Sequence, residues 1–222
     1  MNIGVFGDSF AARKHTNSWW KYLEAHGHTV TSYGEAGSSL LYSAQLILQH
    51  HAQYDFCIWA VTQVGRMSVQ HNNKWFHVTP TLRSHTWGLD YLEEIKRAYQ
   101  TYLKYLYDPA GGELEGRAVV ELVANRVPNL MLIPAFDNPL NTRSFNLIDL
   151  SYYECSQILN RQEYFTTMQT LNDLRHCHLT EPNNQRLAQL VAENLVPGTF
   201  RADYKQFVHF LDNIDQIFSK NT

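Results

Sequence analysis

The stretch NIGVFGDSF, residues 2 to 10, delivers a serine onto a glycine turn directly after an apolar run. A serine hydroxyl becomes a nucleophile only when a base can take its proton, a third group orients that base, and N–H donors face the oxyanion that forms. Three other segments carry groups of those kinds. YGEAGSSL contains Gly37, whose backbone N–H can face the same crevice at the start of a helix. WAVTQVGR contains the amide of Gln63, with the Thr62 hydroxyl beside it. NDLRHCHLTEPNNQRLA contains Asp173, His176 and His178 ahead of a further helix. Alone, Gly-Asp-Ser is also a good turn and helix-cap sequence. Four segments of complementary chemistry are harder to read that way.

To act together, these segments must sit at the ends of strands in one sheet, where open α/β sheets bind their ligands. The sequence predicts that arrangement. Residues 2 to 7 read as a short buried strand closed by glycine, and a helix follows from the Thr16-Asn17-Ser18 cluster to a stop at Gly27. HTVTSY reads as a second strand, LLYSAQLILQHH as a helix, and YDFCIWAV as a third strand apolar enough for burial on both faces. Strand, helix, strand, helix, strand predicts a parallel sheet with right-handed crossovers. Residues 67 to 88 read as a polar excursion bearing Trp75, Phe76 and Trp87. From Leu89 a helix is predicted with Leu92, Ile95, Tyr99, Tyr102, Leu103 and Leu106 on one packing face, broken by AGG at 110 to 112 and resumed through LEGRAVVELVANRV. NLMLIPAF predicts a fourth buried strand, residues 137 to 172 a second insertion, NNQRLAQLVAENLV a closing helix, and residues 203 to 218 a final amphipathic one.

Composition sets the outer limits. At 222 residues and 44% hydrophobic content the chain reads as one domain, 1 to 222, with a full core. The formal net charge is -3 and the charges are scattered, which points away from nucleic acid and anionic membranes. No run approaches the roughly 20 apolar residues of a spanning helix, and MNIGVFGDSF lacks the features of an export signal, so a cytoplasmic setting is expected. Cys57, Cys155 and Cys177 have neither zinc-like nor redox spacing and fit a reducing compartment. The pairs His26/His28 and His50-His51 read as surface residues, not ligands.

Taken together, the Gly7-Asp8-Ser9 turn, Gly37 in EAGSS and the HLTEPNNQRLA ending resemble the SGNH, or GDSL-type, esterase and lipase superfamily. That resemblance covers both ends and the first third of the chain. It implies a three-layer α/β/α sandwich around a parallel sheet, flavodoxin-like in connectivity, and hydrolysis of a carboxylic ester through an acyl-enzyme. Ser9 is then the nucleophile, His178 the base and Asp173 the residue that orients it, with the Ser9 and Gly37 N–H groups and the Gln63 amide facing the oxyanion. The third block departs from the family, which carries an asparagine where this chain reads VTQV; Thr62 is the substitute donor. The resemblance implies no metal and no organic cofactor, and a small ester or acylated carbohydrate as substrate.

The histidine assignment has two solutions. Counting three residues on from Asp173 reaches His176, the usual family spacing, whereas alignment on LTEPNNQRLA reaches His178. The helix starting near Pro182 fixes the loop ahead of it and favours His178. Two other readings stand beside the enzyme: a flavodoxin-like binding or scaffold domain with a decayed site, supported by the altered third block, and a phosphate-binding module built on GEAGSS. Neither GxxxxGK nor GxGxxG occurs to support the latter. The aromatic residues of the two insertions, including Tyr152, Tyr153, Tyr164 and Phe165, read either as pocket walls or as ordinary packing.

Overall fold

The computed structural model describes residues 1–12, 18–71, 74–78, 92–136, 146–148, 150–151 and 178–207. Five parallel strands form one sheet: β1 (Asn2–Gly7), β2 (Thr29–Ser32), β3 (Phe56–Val61), β6 (Leu130–Pro134) and the short β7 (Gly198–Thr199), in the order β2-β1-β3-β6-β7. Counted within the sheet alone, that order is 2-1-3-4-5, compatible with a flavodoxin-like doubly wound fold.

Alternation along the central strands explains why helices cover both faces. Ile3, Val5, Phe56, Ile58, Ala60, Met131 and Ile133 point into one core with Trp19, Trp20, Leu187 and Val191. Those partners come from α1 (Trp19–Tyr22) and α5 (Glu181–Glu193). Phe6, Cys57, Trp59, Val61, Leu130 and Leu132 point into a second core with Leu40, Ile47, Val120 and Val123. These belong to α2 (Leu40–His50) and α4 (Pro109–Arg126). A strand apolar at every position can be buried only between two such layers.

The helical stretch after β1 keeps the expected limits, from the Ser18 cap to Gly27, but only its first turn is α-helical. α1 passes into a 3-10 turn, Leu23–His26, and Gly27 closes it with a left-handed φ of 81°. The glycines at 111 and 112 do not break a helix. They lie in the first turn of α4, because Asp108 caps that turn by accepting from the Ala110 and Gly111 N–H groups at 3.1 Å, and Pro109 suits its start. The interruption falls earlier, after α3 (Leu92–Tyr105). Leu106 therefore leaves the expected packing face and is 75% exposed, while Tyr99 is buried. The excursion after β3 contains an antiparallel hairpin, β4 (Met67–His71) with β5 (Lys74–Val78). At the other end, Asp203 caps a 3-10 turn, Tyr204–Gln206, within the expected last helix. Among the described residues no helix is long and apolar enough to cross a membrane.

Candidate active site

Register places the carboxyl ends of the strands side by side. Gly7 pairs with Ala60 and Val61 with Pro134, so the segments after β1, β3 and β6 leave the sheet at one edge, and the segment after β2 joins them. The order reverses between β1 and β3, the switch point where a crevice opens in such sheets.

Gly7 makes the turn possible. Its φ is 140°, and a Cβ there would stand 2.6 Å from the Ala60 carbonyl oxygen and 2.9 Å from the Ala60 Cβ. Beyond it Asp8 leads the chain into the 3-10 turn Ser9–Ala11, so Ser9 opens that turn two residues past the strand end. Asp8 caps that turn: Oδ1 accepts the Phe10 N–H at 3.1 Å. Its Oδ2 accepts the Thr62 hydroxyl at 3.2 Å and Arg66 Nη1 at 2.7 Å. Asp8 is fully buried and the Arg66 side chain is 7% exposed, so a neutralised ion pair lies under the serine turn. A carboxylate holding three donors in place serves as a positioning group for the serine turn. Arg66 belongs to no motif in the sequence; the signal for it is an acid, Asp8, set directly after a buried strand, which requires a cation within reach.

The segment after β2 is stapled to the same turn. Glu35 N–H and Ser38 Oγ both donate to the Gly7 carbonyl, at 3.2 and 3.1 Å. Gly37 lies between them with a φ of 79°. Gly34 packs directly on Ala11, so closely that a Cβ would overlap the Ala11 backbone. Gln63 is half-buried in the loop after β3, next to the fully buried Thr62. The Thr62 hydroxyl proton is committed to Asp8.

His178 arrives from the far end of the chain. Its ring packs against Phe10, the residue after Ser9, with centroids 4.8 Å apart, and only 9% of the residue is exposed. The contact continues in space, since Phe10 meets Phe136 edge to face at 5.4 Å and Phe136 lies 4.2 Å under the Arg66 guanidinium. The loop holding His178 is fixed from α5, where Asn184 Nδ2 donates to the Leu179 and Thr180 carbonyls at 2.8 and 3.1 Å. Asn184 Oδ1 also accepts the Trp19 N–H, and Trp19 Nε1 donates to the Phe10 carbonyl at 2.9 Å. The serine turn and the histidine loop are thus anchored to one another through α1 and α5.

Asp173 and His176 lie outside the described residues, as do Trp87, Tyr152, Tyr153, Tyr164 and Phe165. Of the four histidines expected at the surface none is buried, and His50 stacks on Tyr33 at 4.6 Å. Among the described residues no group of three or more His, Cys, Asp or Glu side chains is placed to hold a metal ion. Compared with known proteins, the chain matches no family model and no curated sequence.

Proposed function

We propose that the chain is a serine ester hydrolase of the SGNH type, acting through an acyl-enzyme on a small ester or an acylated carbohydrate. The observation that carries this reading is the packing of the His178 ring against Phe10, which sets an imidazole from the last third of the chain beside the turn that begins at Ser9. Ser9 Oγ attacks the ester carbonyl while His178 takes the proton and then returns it to the departing alcohol. Water hydrolyses the acyl-serine in the second half-reaction. Asp173 orients the imidazole and stabilises its charged form. The Ser9 and Gly37 N–H groups with the Gln63 amide face the oxyanion. Gln63 fills the place of the family asparagine, its amide offering the same two donors one methylene further out.

A fluorophosphonate probe followed by trypsin tests the assignment. Label is expected on peptide 1–13, whose one serine is Ser9. A wild-type protein in which that peptide stays unlabelled under conditions that label a control esterase would overturn it.

A further inference from the structure

A second serine, remote in sequence from Ser9, carries a base and an orienting acid already in hydrogen-bond contact. Ser68 on β4 and His77 on β5 are direct partners in the hairpin register, and Ser68 Oγ lies 2.8 Å from His77 Nδ1. On the other side of the ring, His77 Nε2 lies 3.0 Å from Glu35 Oε2. The protons on this chain of atoms can be assigned. The Glu35 carboxylate can only accept, so the neutral imidazole carries its proton on Nε2 and offers its Nδ1 lone pair to the Ser68 hydroxyl proton, while Ser68 Oγ accepts the Ser39 N–H at 3.0 Å. That is the arrangement a nucleophile needs: a lone pair of the base on the hydroxyl proton, and a carboxylate to hold the tautomer and stabilise the imidazolium.

The surroundings fit the same role. The His77 side chain is 10% exposed, which shelters the relay, while Glu35 at 40% and the half-buried Ser68 remain in reach of solvent. Ser39 caps the 11-residue helix α2, so its N–H brings the positive end of the helix dipole onto Ser68 Oγ and favours developing negative charge there. Tyr42 packs edge-on against both Trp75 and His77, at 5.0 and 4.8 Å, giving the site an aromatic wall.

We infer that Ser68, His77 and Glu35 form a second nucleophilic centre that takes the acyl group of an uncharged carboxylic ester. Ser68 Oγ bonds to the carbonyl carbon as its proton passes to Nδ1. The ester C–O bond breaks, the alcohol leaves with that proton, and water later releases the acid from Ser68. The centre shares no residue with Ser9, Gln63 or His178, so the two readings fail separately.

The test uses the Ser9→Ala protein, the fluorophosphonate probe and peptide mapping. Label is expected on tryptic peptide 67–74, in which Ser68 is the one serine. Adding His77→Ala should slow that labelling roughly 10²-fold or more, with free imidazole restoring part of it, and Glu35→Gln should slow it less. Circular dichroism verifies the fold of each variant. Absence of label on 67–74 in folded Ser9→Ala protein overturns the proposal. So does labelling that His77→Ala leaves unchanged, because the hydrogen bonds would then serve only to clasp the hairpin to the loop after β2.

Discussion

Arg66 Nη1 stands 2.7 Å from Asp8 Oδ2, in an ion pair almost closed to solvent. The pair joins the loop after β3 to the turn after β1, and Thr62 reinforces the join from the same loop. Removing one member leaves the other charge buried without its partner, a loss of about 3–5 kcal/mol. Asp8→Ala and Arg66→Ala should each lower the urea midpoint accordingly. Asp8→Asn with Arg66→Met should cost less than the sum of its single changes, and equal costs added without coupling would show the pair to be incidental.

Gly7 carries a similar structural demand with a different readout. An alanine there has to adopt a φ near 140° and also meet Ala60, so Gly7→Ala should destabilise the fold by about 1–3 kcal/mol from backbone strain, with the steric contact adding to it. The same shift displaces Ser9, and the ester turnover of the folded fraction should fall with it. Unchanged melting and turnover would mean the turn can be rebuilt without the glycine.

Cys57 separates burial from reactivity. It is 2% exposed, and burial pushes its thiol up to about 11. At pH 8 the folded protein therefore holds far less thiolate at this site than an unperturbed cysteine does. Iodoacetamide should modify Cys57 slowly in the folded protein and rapidly in urea, as read by peptide mass spectrometry. Equal rates in both states would contradict the packed position on β3.

The parallel sheet was legible because β1, β3 and β6 are apolar at nearly every position, a pattern that only two covering layers explain. The hairpin from Met67 to Val78 was not legible. Polar residues such as Gln70 and His77 interrupt its apolar positions without a regular period through both strands, and its fixing contacts come from Ser39 and Glu35, far away in sequence. The break before α4 was misplaced for a local reason: glycine reads as a helix breaker, yet Asp108 and Pro109 build a start that tolerates it. At the site, Ser9 and His178 stood out by motif. Arg66 and Phe136 did not, since their roles arise from the stacking of one on the other above a buried carboxylate.

Gln63 and Thr62 sit side by side, yet their expected effects differ. The Thr62 hydroxyl proton is held by Asp8, so Thr62→Val should act on stability by about 1–3 kcal/mol, as expected for a buried acceptor that loses a donor. Gln63→Ala removes the proposed oxyanion amide and should lower kcat by roughly 10²–10³ with little change in KM. A change in KM alone would assign Gln63 to substrate binding instead.

His176 and His178 offer the sharpest choice. The His178 loop is held by Asn184 from α5, and the ring is pressed on Phe10, so an imidazole at this position is fixed relative to the turn that carries Ser9. His178→Ala should therefore cost on the order of 10³ or more in turnover of a short-chain nitrophenyl ester, and His176→Ala should be nearly silent. Asn184→Ala, which frees the loop carbonyls without touching the imidazole, should give a smaller loss of turnover together with some loss of stability. Both histidine variants are to be assayed at one pH, with the folded state verified by circular dichroism. If the large loss falls at His176 and His178→Ala turns over normally, the spacing from Asp173 decides the base, and the His178 ring serves to pack Phe10 in place.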